Sequence, residues 1–216
     1  MAKGERGGKR DWGEGGGGAN PNDIKDRKDL VSGKENIALG TGDYNKNVAD
    51  VLKVAQTMDD EYGAEAHIVQ FQSAKMVKSA STAMGVYDGS NIVMNQKYMN
   101  RGMDNVYDAG VKSKYHPSRG NKSGMEAVAA HEYGHALTDA AARKMGLGNM
   151  DAAANRIMDE ARAKVRTKGL ASNISRYATE SAAEAIAEAV SDVYCNGNKA
   201  SGASRAVVKV LNSYIK

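Results

Sequence analysis

His131-Glu132-Tyr133-Gly134-His135 sets two imidazoles four residues apart with a carboxylate between them, inside the helix-forming run from Met125 to Asp139. Residues four apart on a helix lie one above the other, so His131 and His135 can offer two ring nitrogens to one ion. Glu132 is rotated by about 100° from His131, beside such an ion rather than on it. There its carboxylate can take a proton from a water that the ion activates. The expected ion is Zn²⁺, which suits neutral imidazoles with a carboxylate and tolerates a tetrahedral site with one position open. Bound zinc lowers the pKa of its water toward about 7, which makes a nucleophile at neutral pH. The bare five-residue pattern also arises by chance. Here Val128, Ala129, Leu137 and Ala140 flank it, which marks a core helix, and burying two histidines and a glutamate there without an ion or partners would be costly.

A catalytic zinc needs a third protein ligand. A third histidine six residues past the second is absent, since Ala141 stands there, with Thr138 where a glycine would accompany it. His67 falls in an expected strand and reads as a paired or core histidine. His116, in Tyr115-His116-Pro117, reads as an ordinary surface histidine on a loop that could touch substrate. A carboxylate from a later helix is the better candidate. Glu180, Glu184, Glu188 and Asp192 recur every four residues and share one helix face. Lys and Arg are absent between Tyr177 and Tyr194, and the alanines there permit close approach to the histidine helix, which favours an inward-facing stripe. Asp139 is a candidate second carboxylate for one of the histidine rings, or a plain surface aspartate.

Two stretches, His131-Glu132-Tyr133-Gly134-His135 and Tyr177-Ala178 followed by Glu184-Ala185-Ile186-Ala187-Glu188-Ala189, carry a resemblance. The chain resembles the gluzincin class of zincin metallopeptidases, in particular the branch of anthrax lethal factor and the zincin-like domains of phage-encoded and toxin-like proteins. The resemblance covers roughly residues 60 to 195, of which the two helical motifs are the specific part. It implies Glu184 as the third ligand, Tyr177 as donor to the developing oxyanion and Glu188 as a carboxylate behind the ligands. Glu188-Ala189-Val190-Ser191-Asp192 also resembles the E-x-x-x-D pattern of thermolysin-like gluzincins, and in that register Glu188 would ligate and Asp192 would orient a histidine. Glu184 is preferred, because Tyr177 then falls where the lethal-factor branch has its tyrosine. The resemblance further implies that the hairpin over residues 85–95 supplies the edge strand, Asn91, Ile92, Val93, Met94 and Asn95, which pairs with an extended peptide substrate.

The expected activity is therefore zinc-dependent endopeptidase hydrolysis, with Glu132 as general base and a peptide or protein as substrate. The alternative is a phage-type structural or accessory protein that keeps the fold and the metal without physiological proteolysis. Glu132 and Tyr177 favour activity, because a purely structural zinc has no need of a base.

The elements that must position these residues follow from apolar spacing. Val48, Val51, Leu52, Ala55 and Met58 predict a helix over 47–62, with Asn45 or Asn47 as its N-cap and Gly63 as its stop. A strand is expected within 64–72, and a hairpin joins 84–87 to 91–95 through Asp88-Gly89-Ser90. Residues 97–123 lack clean periodicity and read as irregular. Helices are expected over 124–145, 151–168, 179–194 and 203–215. Helix, small antiparallel or mixed sheet, then a helical C-terminal half is an α+β order.

Residues 1–36 read as a flexible, charged, glycine-rich tail around Gly15-Gly16-Gly17-Gly18, and 37–216 as the zincin-like domain. The tail could join the domain to a larger fusion or a virion partner. Among 216 residues, a net charge of +4 with no basic stripe gives no expectation of nucleic-acid binding. A single cysteine, Cys195, excludes an internal disulfide framework and a multi-cysteine zinc knuckle, and reads as a buried small residue. No apolar run approaches the roughly 18 residues of a membrane span. Residues 1–28 show no apolar core of a signal peptide. The expected setting is cytoplasmic or virion-associated.

Overall fold

A computed structural model describes residues 42–62, 68–72, 83–99, 101–165 and 168–216, with Asn45, Gln96 and residues 68–72 described by backbone alone. The expected tail, His67 and Gly63 lie outside these residues. The first helix, α1 (Asp43–Tyr62), buries Val48, Val51, Leu52, Ala55 and Met58 as its spacing predicts. It begins four residues before Asn47, so Asn47 is no cap. Asn47 is instead buried, and its amide donates to the carbonyls of Met99 and Arg101, both at 2.9 Å.

The sheet has three strands, β1 (Ile68–Gln72), β2 (Gly85–Tyr87) and β3 (Asn91–Asn95), in the order β1-β3-β2. The β2–β3 hairpin is antiparallel, and β1 runs parallel to β3. Its turn forms as read: Gly89 has φ +95°, and Asp88 Oδ1 accepts from the Ser90 and Asn91 N–H groups at 2.9 and 2.7 Å. The expected substrate strand is corrected by this order. Asn91–Asn95 is the central strand, with its backbone groups engaged by neighbours on both sides, so it has no edge to offer a peptide. Among the described residues β2 is the edge nearer the histidine helix.

Residues 97–123 are not wholly irregular. They contain most of α2 (Gln96–Met99) and all of α3 (Met103–Lys112). Met103 and Tyr107 of α3 are buried; Gly102 and Gly110 obscure the pattern, because glycine is a poor helix former. Gly110 has a packing reason, since a Cβ there would stand 2.6 Å from His116 Cδ2.

The central helix is α4 (Gly124–Lys144), opened by a capping box in which Ser123 and Glu126 satisfy each other's backbone N–H groups. It packs on α1, α3, both hairpin strands and the three later helices, α5 (Met150–Val165), α6 (Ala182–Asn196) and α7 (Gly202–Ile215). Met125 and Leu137 of α4 are fully enclosed, worth about 1.5–3 kcal/mol each relative to exposure. Helix α6 starts later than its periodicity suggests. Ser181 caps it by accepting from the Glu184 N–H at 3.1 Å, and Tyr177–Thr179 forms a separate helical turn ahead of it.

Helices α4 and α6 make the most extensive contact between elements among the described residues. Small residues allow it: a Cβ on Gly134 would lie 2.5 Å from Ala187 Cα, and Ser191 Oγ donates to the Ala127 carbonyl at 2.9 Å. The architecture is α+β, a small mixed sheet beside a helical body, and no helix among the described residues is long and apolar enough to cross a membrane.

Candidate metal centre

His131 and His135 project from consecutive turns of α4 toward the first turn of α6, where Glu184 lies. His131 Nε2 and His135 Nε2 are 3.3 Å apart, and Glu184 Oε2 is 3.1 Å from the first and 3.5 Å from the second. Four ligands around one zinc at about 2.0–2.2 Å stand roughly 3.3–3.6 Å from one another; two of these separations fall in that range and the third, 3.1 Å, lies just below it. Glu184 Oε2 is buried against the two ring nitrogens with no further hydrogen-bond partner, a setting in which a cation among the three atoms would satisfy the carboxylate oxygen. His131, His135 and Glu184 could thus hold a metal ion.

Burial acts against charge on both partners of the cluster, yet the ion pair wins. The Glu184 carboxyl is pushed up by burial but drawn below its ordinary range by His131 and His135. His131 is pushed down by burial and drawn up by Glu184 and Glu188. A cation at the shared Nε2 face would replace the proton in that role.

Glu188 faces the opposite nitrogen. Its Oε1 accepts from His131 Nδ1 at 2.9 Å and from His116 Nδ1 at 3.1 Å, and its Oε2 accepts from Ser175 Oγ at 2.8 Å. The side chain is 1% exposed. Burial raises its pKa, but the hydrogen bonds from His116 and His131 outweigh that and hold it at about 2. Glu184 therefore stands among the donor atoms and Glu188 behind them.

Other expectations are corrected. Asp192 is buried but turned away from the histidines: it accepts from Ser201 N–H, Ser204 Oγ and Asn196 Nδ2 at 2.9, 2.6 and 2.8 Å and so secures the start of α7. The α6 stripe faces inward only from Glu184 on, because Glu180 precedes the helix and is exposed. Asp139 touches neither histidine. Its Oδ2 accepts from Tyr87 Oη at 2.8 Å and pairs with Arg143, which ties β2 to α4. His116 is no ordinary surface residue, with a side chain 11% exposed and bonded to Glu188. Cys195 is buried, and burial pushes its thiol up to about 12, as a packing residue requires.

Glu132 is 6% exposed and packs under Gly85, where an added Cβ would lie 2.8 Å from Glu132 Cγ. It also accepts a hydrogen bond from the Tyr87 backbone. Burial raises its pKa while His131 and His135 oppose that rise. Tyr177 stacks on His131, ring centroids 5.7 Å apart at 16°, and burial followed by the Glu184 charge keeps its phenol protonated far above the usual tyrosine range.

Gly85, Tyr87 and Ser175 escape sequence reasoning, and His116 is read there as a surface residue. Each acts through a contact remote in the chain, which no local pattern reports. Compared with protein-family models, curated proteins and solved structures, the chain matches none of them.

Proposed function

We propose that the chain is a zinc-dependent endopeptidase with a zincin-like fold and the gluzincin ligand set His131, His135 and Glu184. The observation that carries this reading is the convergence of two Nε2 atoms and one carboxylate oxygen at 3.1–3.5 Å, with the buried Glu132 carboxylate beside them. Two histidines and a glutamate are a catalytic zinc set that leaves one position open. Zinc held there would polarise the scissile carbonyl and lower the pKa of a water to about 7.

The remaining steps belong to the chain's own residues. Glu132 accepts the proton of the attacking water as its oxygen bonds to the carbonyl carbon, and passes it to the amine as the C–N bond breaks. Burial beneath Gly85 supports this, since it excludes bulk water from the carboxylate. Tyr177, protonated and stacked on His131, can donate to the oxyanion, an interaction worth about 2.7–4 kcal/mol for one donor.

The test is zinc content by mass spectrometry together with cleavage of casein or of the chain itself, with and without a chelator. Stoichiometric zinc and chelator-sensitive cleavage are expected. Zinc without any cleavage would transfer the chain to the structural or accessory reading, and cleavage indifferent to chelators would end the metallopeptidase proposal.

A further inference from the structure

The Glu188 carboxylate gathers donors from three separate segments: His131 of α4, His116 of the loop over 113–123, and Ser175 ahead of the turn that carries Tyr177. An ionised carboxylate only accepts, so both histidines carry a proton on Nδ1. For His131 this turns Nε2, the nitrogen a metal would take, toward Glu184 and His135. A carboxylate with one partner could swing about its last torsion; here His116 and Ser175 hold one oxygen each, and His131 takes the orientation they set.

The loop that delivers His116 is itself built for the purpose. The His116 ring stacks on Tyr107, centroids 5.0 Å apart at 14°, in the space that Gly110 leaves. Lys114 adopts φ +57°, and the Lys114 and Tyr115 carbonyls accept from the Arg176 and Tyr177 N–H groups at 2.8 and 3.1 Å. Ser175 Oγ accepts in turn from the Ala178 N–H at 3.0 Å, fixing the same turn. A residue that merely fills space needs no nitrogen aimed at a buried carboxylate.

We propose that His116 is a positioning residue of the metal centre: with Ser175 it locks Glu188, and Glu188 fixes the tautomer and ring plane of the donor His131. The inference rests on the metal reading above and concerns residues that touch no donor atom of Glu184 or His135.

Zinc affinity, measured by competition with a chromogenic chelator, and the absorption bands of the cobalt-loaded protein separate the possibilities. His116→Phe keeps a flat ring on Tyr107 but loses the N–H, whereas His116→Asn places an amide N–H near the lost Nδ1. His116→Phe is expected to weaken zinc binding about tenfold and shift the cobalt bands, the lower end of what such supporting residues carry. His116→Asn should recover most of the affinity. Ser175→Ala, which gives up both the Glu188 contact and the Ala178 N–H bond, should weaken binding in the same direction.

Wild-type affinity in His116→Phe, or equal weakening in His116→Phe and His116→Asn, would overturn the positioning role while the metal reading stands. Failure of the wild-type protein to bind either metal would overturn both.

Discussion

Gly134 and Ala187 meet backbone to backbone: a Cβ on Gly134 would stand 2.5 Å from Ala187 Cα and 3.3 Å from its Cβ. These residues sit at the crossing of the two helices that carry the candidate donor atoms: Gly134 adjoins His135 and lies three residues past His131, and Ala187 lies three past Glu184. In an isolated helix, glycine to alanine gains up to about 1 kcal/mol. At this crossing the sign reverses, because the helices must separate before the methyl fits. Gly134→Ala is expected to lower stability in urea by about 1–3 kcal/mol, the range for overpacking a tight core. It should also weaken zinc binding, since His131 and His135 move off Glu184. Ala187→Gly should not rescue it, because the clash is with Cα. A variant as stable as the wild type with unchanged zinc affinity would show that the crossing is not what sets the site.

The division of labour among the carboxylates gives a second expectation. Glu132→Gln removes the proposed base but no candidate donor atom, so turnover should fall by about 10²–10⁴-fold with zinc retained. Glu184→Ala removes a donor atom and Glu188→Ala removes a partner of His131 Nδ1, so zinc retention should fall more in Glu184→Ala. Metal analysis after dialysis, run beside peptide-cleavage rates, reads both. The opposite ranking of the two glutamate variants would return the ligand role to Glu188.

Tyr87 and Asp139 fasten the edge strand to the histidine helix through one hydrogen bond of 2.8 Å. Tyr87→Phe should cost about 0.5–1.5 kcal/mol of stability. Because Asp139 bonds Tyr87 and Arg143 rather than a histidine, zinc affinity should stay put while stability falls. A loss of zinc in Tyr87→Phe would mean that Asp139 supports the metal after all.

How far the sequence disclosed this arrangement depends on the distance over which each feature is specified. His131, Glu132 and His135 lie within one helical run, so their shared face follows from the period of α4 alone. The acidic stripe on α6 was equally visible, yet choosing between Glu184 and Glu188 required the crossing at Gly134 and Ala187 and the cap at Ser181. The hairpin was legible from Asp88-Gly89-Ser90. That β3 is central was not, because β1 joins it in parallel from a stretch whose pairing partner carries no local mark. Helix α3 was hidden by Gly110, whose missing side chain makes room for His116, so the same residue that concealed the element also seats a part of the site.

Glu126, outside the donor cluster, gives an expectation in pH. It is 4% exposed, its Oε2 accepts from the Ser123 N–H at 2.9 Å, its Oε1 from Tyr194 Oη at 3.1 Å, and Lys53 Nζ lies 3.0 Å away. Burial pushes its pKa up, but the Ser123 backbone, Lys53 and Tyr194 together bring it below the ordinary glutamate value. A carboxylate whose folded pKa is depressed contributes its stability above the unfolded value, near about 4.3. That contribution fades as pH falls through the lower folded value. Glu126→Gln keeps a side chain that can complete the capping box, so the difference from wild type isolates the charge. Unfolding in urea should show the variant less stable by about 0.5–1.5 kcal/mol at pH 7. The gap should stay constant down to about pH 5 and narrow steadily below about pH 4.3 as the wild-type carboxylate takes up its proton. A gap of constant size across that range would mean that the neutral acid is held as well as the anion, and that the cap works by shape rather than by charge.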